Sequence, residues 1–235
     1  MRTSFTLGEN VTAGTVRIVG LGHYELYLNG KRVGGALIKQ PWSQYDKTLY
    51  LQEFDVTKLL RRGENVWGVM LGNSFWHVGP ANDSMRYVKT DAMPDFSAGY
   101  PYLLWLEARI RMKNGKEQVV FSDDSWKWTE GPLTFSHIYA GEDYDARLLP
   151  AGWNAPGFND HAWKPVRTVT APPATLQRYT GPAMEAFEIF KPVKIASPAS
   201  GEYTYVFSQN CSALLRFTVT GAAGKTIRLK PCEYM

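Results

Sequence analysis

Apolar and polar residues alternate with a period of two along much of the first half of the chain. In HYELYL, residues 23–28, the even-numbered positions carry an apolar face and the odd-numbered positions carry polar or amphipathic side chains. This is the pattern of a half-buried strand. Asn29 and Gly30 follow, and this dipeptide tolerates the positive φ angles of a type I′ turn. The segment therefore predicts a β-hairpin.

Other segments repeat this pattern, and helical periodicity is nearly absent. The first 76 residues predict one helical turn, with Asp55 as its N-cap and Gly63 as its stop. Asn114 and Gly115 supply a second hairpin turn. The chain is therefore predicted to be all-β and to begin as a β-sandwich. Further strands are predicted at residues 14–20, 48–54, 65–71, 101–111 and 117–121.

A change in composition divides the chain. Residues 166–185 mix Pro, Ala, Thr and Gly, which is typical of an extended linker. We therefore expect a β-sandwich domain at residues 1–165, followed by the linker and by a partial second β domain at residues 186–235. The second part has three predicted strands, which make at most half a sandwich. These strands are predicted at residues 203–207, 213–219 and 226–229.

Charge and hydropathy exclude two classes of partner. The net charge of +4 comes from 26 basic and 22 acidic residues that are interleaved, so nucleic acid is not an expected partner. No apolar stretch approaches the length of a membrane span, so no membrane association is expected. The N-terminus lacks the apolar core of a signal peptide, and the sequence leaves the cellular compartment open.

Aromatic residues make up 14% of the chain, and many of them stand beside Gly, Asn or Ser in loops. Sugars present C–H faces to aromatic rings, and neighbouring amides and imidazoles bond their hydroxyls. These loops therefore predict a carbohydrate-binding platform. The alternative is that Trp42 and Trp76 plug the ends of the sandwich as core residues. The candidate carbohydrate-binding residues are Trp42, Tyr45, Asn73, Trp76, His77 and Tyr87.

The segment GEDYDAR, residues 141–147, concentrates carboxylates beside a guanidinium. Two carboxyls about 6.5 to 9.5 Å apart form the acid and base of an inverting glycosidase, and Asp143 and Asp145 share a face if the segment is extended. The alternative, which we favour, is a structural corner in which Arg147 pairs with Glu142 or Asp145. A lone sandwich offers no enclosed pocket to raise the pKa of one carboxyl.

Metal and disulfide chemistry find little support in the sequence. The four histidines have no zinc-like spacing. Two cysteines, Cys211 and Cys232, are too few for a disulfide framework, and we expect both to be reduced and half-buried. An oxygen-rich calcium site is one interpretation of the polar loop at residues 72–99, and ordinary solvated polarity is the other. Its candidate ligands are Asn82, Asp83, Asp91 and Asp95.

Five blocks of sequence carry a family resemblance. They are GHYELYLNGKRVG at 22–34, FDVTKLLRRGENVWGVMLGNSFW at 54–76, IYAGEDYDAR at 138–147, GWNAPGFNDHAW at 152–163 and VFSQNCSALLRFTVTGAAGKTIRLKPCE at 206–233. In this order they closely resemble bacterial α-L-rhamnosidases of glycoside hydrolase family 78. Two departures from the family pattern stand out: Ser208 replaces a usual Gly, and Phe75 is added before Trp76.

The resemblance implies a jelly-roll (galactose-binding-like) sandwich followed by the start of a second β-sandwich domain. It further implies that the catalytic acid and base belong to a C-terminal helical barrel, which has no counterpart here. The whole enzyme would remove terminal α-L-rhamnose from glycans, with inversion, and a periplasmic or secreted location fits such an enzyme. No cofactor is required, although the likeness allows for calcium.

Within such an enzyme the chain alone is expected to be non-catalytic and to serve as a scaffold or as a carbohydrate-binding region. Three alternatives stay open: a free-standing carbohydrate-binding module, a structural spacer, and the accessory domains of another enzyme that degrades rhamnose-containing glycans, such as a lyase.

Overall fold

The computed structural model describes residues 1–78, 100–137, 141–222, 224–230 and 232. Within these ranges the secondary structure is almost entirely β, with two short 3₁₀ helices at Thr57–Leu59 and Ala146–Leu148. The strands are β1 (Arg2–Leu7), β2 (Val11–Leu21), β3 (His23–Leu28), β4 (Lys31–Arg32), β5 (Thr48–Asp55), β6 (Gly63–Gly72), β7 (Leu103–Met112), β8 (Glu117–Phe121), β9 (Lys127–Trp128), β10 (Leu133–His137), β11 (Gly141–Tyr144), β12 (Lys164–Pro165), β13 (Thr175–Arg178), β14 (Lys194–Ala196) and β15 (Thr204–Val206).

The chain divides into two compact units, Met1–Glu185 and Ala186–Met235. The first unit contains a six-stranded sheet in the order β12-β9-β1-β6-β3-β4 and a five-stranded sheet in the order β13-β5-β2-β7-β8. Strands β10 and β11 form a separate hairpin. The all-β class predicted from the sequence is confirmed.

The main core lies between the two sheets of the first unit. Strand β2 contributes Val16 and Ile18 from the five-stranded sheet, and β3 contributes Leu26 and Leu28 from the six-stranded sheet; all four are fully buried. Along β3 the burial alternates residue by residue, as the sequence pattern predicts. Trp67 of β6 is also fully buried here. Packing of these alternating faces holds the sandwich together.

Both predicted hairpin turns are confirmed. Asn29 and Gly30 have φ angles of 53° and 79°, and the flanking residues Leu28 and Lys31 pair directly. Gly115, at φ 81°, closes the turn between β7 and β8. Asp55 accepts a hydrogen bond from the backbone N–H of Thr57, at 2.8 Å, at the start of the first 3₁₀ helix.

The structure differs from the predicted linker at residues 166–185. Strand β13 pairs in parallel with β5 at the edge of the five-stranded sheet. Hydrogen bonds extend this pairing at both ends, from Thr175 N to Lys47 O and from Tyr179 N to Leu51 O. The prolines before β13 are typical of chain without regular structure. An edge strand nevertheless tolerates Pro at its start, because the backbone groups on its outer side need no hydrogen-bond partner in the sheet.

In the second unit, β14 and β15 form an antiparallel pair. The strand predicted around residues 203–207 is present, whereas residues 213–219 and 226–229 adopt no regular strand. Apolar side chains of this unit are strongly exposed, with Phe187 at 91% and Leu214 at 74%. An alternating strand gains stability only when a second layer covers its apolar face, and within this unit the described residues provide none.

The structure also bears on the expectations for the cysteines and for membrane-spanning segments. Cys211 and Cys232 are free, as expected, but both are exposed, so the predicted half-burial is wrong. Among the described residues, no helix has the length and apolar character that a membrane crossing requires.

We expect limited chymotrypsin digestion to cut after Phe187, because its side chain is fully accessible and residues 186–193 lie outside regular structure. Residues 175–178 should resist cleavage, since their backbone is paired with β5. Mass spectrometry of the products should show a fragment ending near residue 187. A fragment ending between residues 166 and 178 would instead support the linker predicted from the sequence.

Candidate functional site

A second, smaller apolar cluster covers part of the outer face of the five-stranded sheet. We call it the outer cluster, and its buried members are Val19, Leu21, Tyr45, Leu49 and Trp76. Val19 and Leu21 lie on β2, whereas Tyr45 and Trp76 arrive on two separate loops. The candidate platform residues of those loops are therefore anchored to this cluster.

Tyr45 and Trp76 are core residues. Trp76 is 1% exposed, and its indole N–H donates to the carbonyl of Pro101 at 3.1 Å. The Tyr45 ring meets the indole edge-on at a centroid distance of 5.2 Å. Burial raises the pKa of Tyr45 to about 12. A buried ring has no free face for a sugar. Trp76 is thus a core residue, as in the alternative, but it belongs to the outer cluster and not to the end of the sandwich.

Among the candidate rings that the structure describes, Trp42 is the most exposed, at 59%. It stacks on Phe75 with a centroid distance of 4.7 Å and an interplanar angle of 19°. Phe75 was absent from the residues proposed from the sequence, although its addition before Trp76 is a departure from the family pattern. Phe75 is half-buried and packs against the outer cluster, so Trp42 supplies most of the exposed surface of this ring pair.

Asn73 and His77 belong to the same loop as Phe75, and both contact Tyr102. The amide of Asn73 donates to the carbonyl of Ser136 and accepts from the Tyr102 hydroxyl, so both of its ends are engaged. The His77 ring packs edge-on against Tyr102 at 4.7 Å. Its Nε2 atom is buried and finds no hydrogen-bond partner among the described residues. Asn73 therefore positions Tyr102, which sequence reasoning also missed.

The acidic segment forms the structural corner favoured from the sequence. Asp145 caps the second 3₁₀ helix by accepting from the backbone N–H of Arg147. The Arg147 guanidinium binds the same carboxylate through two atoms, at 2.8 and 2.6 Å. These hydrogen bonds lower the pKa of Asp145 to about 2. Glu142 is exposed on β11 and lies opposite Ser136 of β10.

Several candidates lie outside the described residues. They are Tyr87 of the aromatic platform and the possible calcium ligands Asn82, Asp83, Asp91 and Asp95, which remain predictions. Within the described ranges, no group of three or more His, Cys, Asp or Glu side chains is arranged to hold a metal ion.

Comparison with known proteins identifies the family to which this fold belongs. Residues 9–188 match the model of a family described as the α-L-rhamnosidase N-terminal domain. The chain belongs to this family. The resemblance drawn from the sequence blocks is thereby confirmed, as is the jelly-roll sandwich that it implies.

The similar proteins are much longer than this chain. An α-L-rhamnosidase of Formosa agariphila is 30% identical over 99% of this chain, which spans 24% of that protein. One from Streptomyces avermitilis is 29% identical over 97% of this chain and 21% of its own length. The solved structure of α-L-rhamnosidase from Dictyoglumus thermophilum is 32% identical, with a TM-score of 0.75, over 89% of this chain and 22% of that one.

Proposed function

We propose that this chain is a non-catalytic N-terminal portion of an α-L-rhamnosidase-like glycoside hydrolase and serves there as a scaffold. The enzyme would remove terminal α-L-rhamnose from rhamnose-containing glycans, and its helical-barrel catalytic domain would lie outside these residues. The proposal rests above all on the family match over residues 9–188 and on relatives of which this chain spans 21 to 24%. The Asp145–Arg147 pair supports it, because it gives the Asp145 carboxylate a structural partner.

Inverting hydrolysis needs one carboxylic acid that stays protonated until it reaches the leaving group. Asp145, with a pKa of about 2, is ionised at neutral pH and is held by a guanidinium. Its pKa is displaced in the direction opposite to that of a general acid. This supports a structural role for the Asp145–Arg147 pair and fits a catalytic acid supplied by another part of the enzyme.

The second unit supports a scaffold role. Its exposed side chains include Phe187 and Leu214, together with the apolar residues Leu215, Phe217 and Val219. Such a density of exposed apolar groups marks a surface that packs against other protein. A longer enzyme of the kind matched here would supply that protein.

Carbohydrate binding is the second candidate, and the Trp42–Phe75 pair favours it. The stacked rings, of which Trp42 is 59% exposed, offer an apolar surface on which a sugar face can stack. The same pair would serve a free-standing carbohydrate-binding module or the accessory region of a rhamnose-glycan lyase. Burial of Tyr45 and Trp76 leaves fewer rings for this role than the sequence suggested.

We expect the purified chain to release no p-nitrophenol from p-nitrophenyl α-L-rhamnoside above the rate of the blank. Asp145→Ala and Glu142→Ala should leave this result unchanged. A turnover number near that of ordinary enzymes, about 10 per second, would overturn the non-catalytic assignment. If that activity were then lost in Asp145→Ala, the acidic segment would be the active site after all.

A further inference from the structure

A charged groove crosses the part of the five-stranded sheet that the outer cluster leaves open. It encloses about 320 Å³, and Ala13, Gly14 and Thr15 of β2 are among the small residues that line it. Long charged side chains from β2, β5, β7 and β8 also line it. This volume is within the usual range of small-ligand sites.

Strand register aligns three of these charged side chains in a row across the sheet, and the aromatic ring of Phe121 extends the row by one strand. Glu53 of β5 pairs with Arg17 of β2, Arg17 pairs with Glu107 of β7, and Glu107 pairs with Phe121 of β8. Directly paired residues share a face of the sheet. With strands about 4.8 Å apart, the row is about 14 Å long, enough for roughly two or three sugar units. We call these four residues the cross-strand row.

The row is held in place by ion pairs. Glu107 is only 9% exposed, and it binds the Arg109 guanidinium through two atoms, at 2.6 and 3.2 Å. Glu53 lies between Arg17 at 2.8 Å and Arg178 at 3.1 Å. A guanidinium fixed by a carboxylate presents its remaining N–H groups in a set direction. The donors and acceptors of the groove are therefore preorganised.

The charge pattern selects the ligand class. Arg17, Arg109 and Arg178 alternate with Glu53 and Glu107, so donors and acceptors stand side by side. The carboxylates would repel a polyanion, and the guanidiniums would repel a polycation. Sugar hydroxyls both donate and accept hydrogen bonds, so they can bond to both kinds of group. Phe121, 46% exposed at one end of the row, adds an apolar ring on which a sugar face can stack.

From this arrangement we propose that the groove binds a neutral oligosaccharide laid across the strands, with Arg17, Glu107 and Arg109 bonding its hydroxyls and Phe121 stacking on one ring. A terminal rhamnose is the expected end group, and this choice rests on the proposed function. The site is separate from the Trp42–Phe75 pair, since the two draw on different residues.

The test is an NMR titration of the full chain with rutinose, a neutral disaccharide that ends in α-L-rhamnose. Amide shifts should cluster on β2, β5, β7 and β8 around the cross-strand row. Arg109→Ala and Phe121→Ala should each weaken binding by about fivefold or more, as expected for a lost charged hydrogen bond or stacking contact. Arg109→Lys keeps the positive charge but cannot bind the Glu107 carboxylate through two atoms, and this variant should also bind rutinose more weakly.

Arg147→Ala is the matched control, because this arginine is also exposed and paired with a carboxylate but lies on another part of the first unit. It should bind like the unaltered chain. The proposal is overturned if rutinose causes no shifts, if shifts gather at Trp42 instead, or if the anion trigalacturonate binds more tightly than rutinose. Each of these outcomes leaves the non-catalytic assignment intact, since that assignment is decided by the hydrolysis assay alone.

Discussion

Replacing Trp76 with alanine is expected to lower the free energy of unfolding of the first unit by about 3 to 5 kcal/mol. The ring is 1% exposed, anchors the outer cluster and donates a hydrogen bond to Pro101. The substitution removes this buried surface and leaves a cavity between two loops and the sheet. Urea denaturation followed by far-ultraviolet circular dichroism measures the change.

Trp42→Ala is the matched control for Trp76→Ala. The same indole is removed, but from a side chain that is 59% exposed, and the expected change is within about 0.5 kcal/mol. Equal destabilisation by the two substitutions would contradict the distinction between a core ring and a surface ring. The comparison thus tests which of the two tryptophans remains available to a ligand.

Removing the carboxylate of Asp160 has the second large effect that we expect. Asp160 accepts hydrogen bonds from Arg2 and from Lys127, the latter at 2.7 Å. The Arg2 side chain is 3% exposed, and its guanidinium lies over the ring of Phe158. Asp160→Ala leaves this buried charge without its carboxylate, which typically destabilises a protein by about 3 to 5 kcal/mol.

Asp160→Asn keeps the size of the side chain and isolates the effect of charge. Its unfolding midpoint in urea should fall clearly, whereas Asp145→Ala, which breaks a pair with a largely exposed arginine and removes the cap of a short 3₁₀ helix, should lower the midpoint much less. If Asp160→Asn unfolds at the same urea concentration as the unaltered chain, Arg2 does not depend on this charge.

The same pair predicts a dependence on pH. Burial alone would raise the pKa of Asp160, but the hydrogen bond from Lys127 and the charge of Arg2 outweigh it, so the pKa lies below its ordinary value. A carboxyl with a lowered pKa stabilises the folded state fully above its unfolded-state pKa. This contribution is lost as the pH falls through the folded-state value, and Asp160→Asn should remove that part of the acid sensitivity.

Local patterns were sufficient to predict much of the sandwich. The alternation in β3 and the Asn29–Gly30 turn are properties of neighbouring residues, so the sequence alone reveals them. The burial of Trp76 is different, because it depends on Tyr45 and on the carbonyl of Pro101, which arrive from distant parts of the chain. A tryptophan among Gly, Asn and Ser therefore suggests an exposed ring until the packing is known.

The cross-strand row, like the burial of Trp76, depends on residues that are distant in the sequence. Glu53, Arg17, Glu107 and Phe121 come from four separate strands, and only the register brings them side by side. No spacing in the sequence signals such a row. In the second unit the difficulty is reversed: residues 213–219 have the alternation of a strand but form none, because a strand needs a neighbour as well as a pattern.

The parallel pairing of β13 with β5 has a practical consequence for producing the first unit alone. Without β13, strand β5 would present an open row of N–H and C=O groups, to which other chains could add. A fragment cut at residue 165, the boundary that composition suggests, would carry this exposed edge into solution. Residue 185 is the better place to end the fragment, because the fragment then keeps β13, which covers the edge of β5 and so opposes self-association.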